Sequence, residues 1–244
     1  MNIREAVILV TGSANRVGKA TALMLAKKGG RLVIHYNSSA AKARETEKEI
    51  AAIGEPPLLV QGDLSREKSW IALRDRILER FGKIDVLVNN AAIFYKTPFL
   101  QSTEKEWDHF MDVNLKSTYF GCRIMGEVMV RQQRGKIINL ADIAPERVWP
   151  SYIPYCVSKA GVVALTKGLA KALAPHVSVN AIAPGAVMLP KDFDAGQAEN
   201  LRKKIPLQRF GSAEDIAKTI AFLIEGGDFI NGEIIKVDGG QSIQ

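Results

Sequence analysis

The sequence predicts an α/β fold: a single doubly wound parallel sheet of about seven strands with helices on both faces. Three observations carry this. Short apolar, β-rich runs alternate with amphipathic helical stretches along the chain, which implies parallel strands joined by right-handed crossovers. Several runs are continuously apolar, Val7-Ile8-Leu9-Val10 most clearly, as strands buried on both faces must be. The 244 residues show no linker, composition shift or repeat of solenoid period, so residues 1–244 read as one domain.

The first strand, residues 6–11, runs into Thr11-Gly12-Ser13-Ala14-Asn15-Arg16-Val17-Gly18. A strand, a glycine turn and a helix start make a pyrophosphate site. Gly12 permits the tight turn and Gly18 a close backbone approach. The helix N-terminus at Asn15, Arg16 and Val17 supplies free N–H groups and a partial positive charge. The middle glycine of GxGxxG is absent, and a plain Gly-containing βα turn is the alternative reading.

The second strand, 31–36, leads into Tyr36-Asn37-Ser38-Ser39. An NAD site places an acid here for the ribose hydroxyls, yet no acid occurs before Glu45. With Arg16 in the turn, able to face a 2′-phosphate, this favours NADP. Arg16 as a solvated arginine and Ser39 as a helix cap are the alternatives. The third strand, 57–61, is followed by Asp63-Leu64, where an adenine would sit, or by a simple turn aspartate. Trp70, Leu73, Ile77 and Phe81 then recur at helical spacing over 65–81.

After the fourth strand, 86–89, Asn90-Ala91-Ala92 are small enough to let backbone approach a ligand. Thr103 and Glu106 have capping-box spacing for a helix to about Val113. The fifth strand is 136–140. Beyond it, Tyr155 and Lys159 share a helix face at i, i+4. An ammonium beside a phenol lowers the phenol pKa, so Tyr155 is expected to exchange a proton near neutrality. The sixth strand, 177–182, precedes an irregular stretch from Pro184 to about Gln197. It holds Pro184, Gly185 and Val187 and reads as part of a substrate loop over about 184–210. Ser212-Ala213-Glu214-Asp215 caps a further helix, and 233–237 is the seventh strand.

Composition excludes other classes. A hydrophobic fraction of 47% rules out disorder. The +7 charge is scattered among acids, as in Arg74-Asp75-Arg76, so no nucleic-acid partner is expected, and an anionic small ligand accounts for the excess. No apolar run approaches the roughly 18 residues of a membrane span, and no signal peptide is expected. Cys122 and Cys156 are too few for a disulfide framework and fit a reducing cytoplasm. His35, His109 and His176 lack metal-ligand spacing, so no metal is assigned.

Taken together, Thr11-Gly12…Gly18, Asp63-Leu64, Asn89-Asn90-Ala91, Asn114, Tyr155…Lys159, Pro184-Gly185 and Val237-Asp238-Gly239-Gly240 resemble the short-chain dehydrogenase/reductase family over essentially the whole chain. The resemblance implies a Rossmann-type domain, a nicotinamide cofactor and a homotetramer. It gives Tyr155 the role of proton donor. Lys159 would bind the nicotinamide ribose, and Asn114 would position Lys159 through water. Two departures are similar to the pteridine reductases: Arg16 where most members have glycine, and Asp142 where most have serine. Phe94 falls on the aromatic that stacks a pterin there, and Ile205-Pro206-Leu207-Gln208-Arg209 is also similar. Asn37, Ser38, Ala92 and Ile93 depart from that subgroup.

The residues support the same picture independently. A flat heterocycle needs an aromatic platform, for which Phe94 is available, and Asp142 can accept its N–H donors. A core aromatic and a turn aspartate are the alternatives. The expectation is NADPH-dependent reduction of a pterin, with Asp142, Tyr155, Lys159 and Asn114 as catalytic residues and Phe94 on the substrate. General carbonyl reduction, as of a 3-oxoacyl-carrier-protein, and non-catalytic NADP binding are the alternatives.

Overall fold

The computed structural model describes residues 1–188 and 194–243. Seven strands form one parallel sheet in the order β3-β2-β1-β4-β5-β6-β7. They are β1 (Val7–Val10), β2 (Arg31–Tyr36), β3 (Leu58–Gln61), β4 (Val86–Asn89), β5 (Gly135–Leu140), β6 (Val177–Pro184) and β7 (Ile234–Val237). Every predicted strand is present. β6 runs two residues further than expected, because Ala183 and Pro184 stay in register with Lys236 and Val237.

β1 shows why an all-apolar run sits at the centre. Its side chains alternate between faces. Ile8 and Val10 enter a core with α1 (Arg16–Lys27) and α8 (Ala213–Glu225). Val7 and Leu9 enter the opposite core with α3 (Glu67–Phe81) and α5 (Ser117–Arg131). Fully burying one such side chain is worth about 1.5–3 kcal/mol. The remaining helices are α2 (Ala40–Ala51), α4 (Glu104–Phe110), α6 (Ile153–Ala172) and α7 (Ala195–Lys203).

Two helical expectations need correction. The helix opened by the Thr103–Glu106 capping box does not stop near Val113. It passes through a π-helical turn, Met111–Lys116, directly into α5. Nor is the stretch to Gln197 irregular throughout. Asp194 caps α7 by accepting from the Gln197 N–H at 2.7 Å, so helix begins at Ala195. Residues 189–193 of that expected loop lie outside the described residues.

The strand order places β1 between β2 and β4. The chain leaves β1 toward one edge of the sheet and later returns to build toward the other. A crevice therefore opens at the carboxyl ends of β1 and β4, where open α/β sheets bind ligands.

Candidate active site

A cleft of about 810 Å³ runs along these carboxyl ends. Its β1 end is shaped by main chain. Gly12 adopts φ +62, and a Cβ there would lie 2.9 Å from Ala91 Cα. At Gly18 a Cβ would stand 2.4 Å from the Gly12 carbonyl oxygen. Thr11 Oγ1 accepts from the Asn90 and Ala91 N–H groups, both at 2.9 Å. Asn90 Nδ2 donates to the carbonyls of Thr11 and Gly12 at 2.8 and 3.1 Å. These bonds tie the end of β1 to the end of β4. Asn15 precedes α1 without a side-chain cap, and the first turn of α1 carries no acid. Open N–H groups and the helix dipole are thus available to a diphosphate, and the glycines leave the room it needs.

One brace of this turn was not singled out from sequence. Buried His35 accepts from the Gly12 N–H through Nδ1 at 3.3 Å and donates through Nε2 to the Gly62 carbonyl at 2.9 Å. Burial lowers its pKa from 6.5 to about 4, so the ring is neutral. The signal was only its place in a buried strand next to the expected cofactor loop.

Tyr36, Asn37, Ser38 and Ser39 line the cleft beyond β2. Ser39 stands at the N-cap position of α2 but makes no side-chain cap bond, so its capping alternative is not realised. Arg16 takes the left-handed conformation, φ +52, that glycine adopts readily. Its guanidinium does not turn toward the β2 end. Nη2 donates to the Met188 carbonyl at 2.9 Å, across the cleft on the loop after β6. Arg16 itself lines the cleft together with the uncharged Asn37-Ser38-Ser39 edge at the β2 end.

Asp63 and Leu64 also differ from expectation, for neither lines the cleft. Asp63 Oδ1 accepts from the Ser65 N–H and hydroxyl at 3.0 and 2.7 Å, and Arg66 pairs with it. These contacts give it the geometry of a turn aspartate at the entrance to α3. Leu64 is buried in the core, and its carbonyl accepts from Trp70 Nε1.

The opposite end of the cleft is built from side chains. Tyr155 Oη donates to Asp142 Oδ2 at 2.6 Å, while Asp142 Oδ1 accepts from the Ala144 N–H at 2.8 Å. Lys159 lies buried behind the cleft. Its Nζ donates to the Leu140 carbonyl at 2.7 Å and sits 5.8 Å from the Tyr155 ring centroid. Desolvation pushes the Asp142 carboxyl above its ordinary range. It pushes the Lys159 ammonium down to about 8. Tyr155 is raised well above its usual value by burial, and the Asp142 charge adds to this. The shift is therefore opposite in direction to the expected lowering of the phenol pKa. The nearest charge to the hydroxyl is the carboxylate, not the ammonium.

Asn114, in the π-helical turn, also lies behind the cleft. It accepts from the Ile93 N–H at 2.8 Å and donates to the Ile93 carbonyl and Ser158 Oγ, both at 3.1 Å. It thus holds the backbone one residue before Phe94. Its direct partners are Ile93 and Ser158 rather than Lys159. Among the described residues, no group of acidic, His and Cys side chains could hold a metal ion.

Phe94 reaches into the cleft, 44% exposed. It stacks on Tyr152 at 4.6 Å with 6° between planes and meets Tyr155 edge-on at 4.7 Å. Trp149 lies parallel to Tyr155 at 6.4 Å. Trp149 and Tyr152 were not anticipated, although Tyr152 stands one helical turn before Tyr155. Ala92, Pro184, Gly185 and Val187 complete the expected lining, joined by Gln241 from the C-terminal turn.

The glycine turn opposite a Tyr–Lys helix agrees with what comparison with known proteins finds. A family model described as enoyl-(acyl carrier protein) reductase matches residues 12–242. A 3-oxoacyl-[acyl-carrier-protein] reductase of Staphylococcus epidermidis is 36% identical over 238 residues, 95% of this chain and 97% of that protein. Another from Synechocystis sp. is 37% identical over 237 residues, 96% of each. A crystal structure of a short chain dehydrogenase from Bacillus anthracis superposes with TM-score 0.90 at 30% identity, covering 99% and 98% of the two chains. These names match general carbonyl reduction better than the pteridine reductase expectation. The chain belongs to the short-chain dehydrogenase/reductase family.

Proposed function

We propose that this chain is an NADPH-dependent reductase acting on a flat heterocycle with a C=N bond, of the pterin or dihydropterin class. The observation that carries the substrate class is the 2.6 Å bond between Tyr155 and Asp142. A carboxyl group at that position accepts N–H donors of a heterocycle, whereas its charge opposes the oxyanion that forms when a ketone is reduced. The wall of Phe94, Trp149 and Tyr152 suits a planar ring.

Bound NADPH supplies the hydride. Gly12, Gly18 and the N-terminus of α1 would hold its diphosphate, and Asn37, Ser38 and Ser39 its ribose edge, where an acid that would repel a 2′-phosphate is missing. Lys159 would hold the nicotinamide ribose. Tyr155 gives a proton from Oη to the reduced substrate, and its raised pKa keeps that proton in place until it is needed. Asp142 anchors the phenol and the heterocycle. Asn114 fixes the Ile93 backbone beneath Phe94. A cytoplasmic homotetramer belongs to the same proposal.

A second reading, reduction of a 3-oxoacyl thioester, is favoured by the names of the relatives at 36 and 37% identity. One assay separates the two. NADPH oxidation is followed with a dihydropterin and, in parallel, with an acetoacetyl thioester, each repeated with NADH. Turnover of the dihydropterin alone is expected. Turnover of the thioester alone replaces the heterocycle with a ketone and leaves the reductase. Equal kcat/KM with NADH and NADPH defeats the NADP preference.

A further inference from the structure

We infer that Gln241 is a positioning residue of this site, holding the cofactor-side loop after β6 against the catalytic loop after β5. The inference rests on the reading of the cleft as a nicotinamide-cofactor site.

Gln241 opens a short C-terminal 3-10 turn, Gln241–Ile243, and is buried despite its polar side chain. Its two oxygens reach different loops. Oε1 accepts from the Ala186 N–H at 3.0 Å, and the main-chain carbonyl accepts from Arg147 Nη1. Ala186 follows the end of β6 and lines the cleft. Arg147 belongs to the segment after β5 that starts with Asp142, the group bonded to Tyr155. Gln241 thereby bridges the two loops between which a cofactor and substrate must meet, beyond the direct bond from the Ile143 N–H to the Pro184 carbonyl at 3.3 Å.

The turn is held rigidly enough to act this way. Asp238 accepts from the Gly240 N–H at 3.0 Å and the Ser242 N–H at 2.8 Å, pinning the backbone on both sides of Gln241. Gly239 and Gly240 take φ +63 and +86. Gly185 is pressed against the turn. A Cβ there would fall 2.7 Å from Asp238 Cβ and 2.8 Å from Gln241 Oε1. Lys236 of β7 and Glu146 of the segment after β5, ion-paired at 2.5 Å, add a tie between that segment and the strand leading into the turn. Such a structure gives the part-buried Ala186 N–H a fixed acceptor, and losing that acceptor removes the bond that orients it. Reaction rates respond to displacements of about 1 Å between reacting groups.

The test compares Gln241→Met, which keeps the length and loses the acceptor, with Gln241→Glu, which keeps an oxygen for the Ala186 N–H. NADPH dissociation constant, kcat, and the isotope effect with 4-deuterated NADPH are read for each, with the thermal midpoint alongside. Gln241→Met is expected to weaken NADPH binding and lower kcat by about tenfold each, with a larger isotope effect. Gln241→Glu is expected to stay within about threefold of the parent. Unchanged binding and kcat in Gln241→Met overturn the inference. So does an equal loss in both variants that follows the thermal midpoint, which marks a purely structural turn. A parent chain that binds no NADPH overturns the cofactor reading itself and this inference with it, a result separate from either of the others.

Discussion

The β1 end of the cleft is walled by main chain, whereas the Tyr155 end is walled by side chains. Around Gly12 and Gly18, close approach comes from missing Cβ atoms and from backbone groups already bonded to Thr11, Asn90 and His35. Around Tyr155, the phenol, Asp142, Phe94, Trp149 and Tyr152 touch one another through their side chains. The first arrangement suits a cofactor whose diphosphate is always the same. The second can be re-specified by changing side chains without altering the fold, which is how one scaffold serves several substrates.

The contrast breaks most sharply at Tyr155. Tyr155→Phe is expected to lower kcat by roughly 10²–10⁴ while the NADPH dissociation constant stays at the parental value. Steady-state kinetics and a binding titration check the two halves separately, and near-parental turnover would remove the phenol from the chemistry.

A smaller effect is expected at the other end, from His35. Its folded pKa, about 4, lies below the ordinary 6.5. Between those values the unfolded chain takes up a proton that the folded chain refuses, so stability falls as pH drops from about 6.5 to 4. The loss amounts to about 3 kcal/mol at the acid end. Urea unfolding across this range should show a shallower decline for His35→Asn than for the parent. Equal slopes would mean that the glycine turn does not depend on a neutral imidazole.

The smallest change tests Lys159, which stands between the two ends. With its pKa near 8, the ammonium loses its proton as pH rises through that value, whereas the phenol stays protonated. kcat/KM is expected to decline above about pH 8 for this reason. In Lys159→Arg the guanidinium stays charged, so the decline should move upward or vanish from a pH–rate profile. A decline that stays near pH 8 in the variant would assign it to another group.

The same contrast explains what could be read from the chain in advance. The buried strands are local apolar runs, and the glycine turn is a local spacing, so the sheet and the β1 end were legible in sequence. The Tyr155–Lys159 pair was legible because a helix places i and i+4 together. Of what surrounds it, Asp142 and Phe94 were legible through the family resemblance, whereas Trp149, Tyr152 and the contacts among them were not. Asp142 lies 13 positions from Tyr155, and only folding makes its carboxylate the nearest charge, which turned the expected pKa direction around. Arg16 bonds to Met188, 172 positions away, and Gln241 to Ala186, 55 away. No spacing rule reaches so far. Asp63 is the converse case: it stands at the expected place in the chain, and its carboxylate accepts from its own turn, as the turn-aspartate alternative has it.

The π-helical turn Met111–Lys116 has a consequence for the geometry of the whole helix that contains it. It acts as a phase shifter. A wider turn holds an extra residue, and each residue of an α-helix accounts for about 100° of rotation. Phe110 before the turn faces Tyr155 at 6.3 Å, while Cys122 after it faces the sheet core. Deleting one residue from 111–116 would restore ordinary helical phase and swing one of these faces away by about that angle. The length of this segment is therefore a rotational setting for the wall behind the phenol.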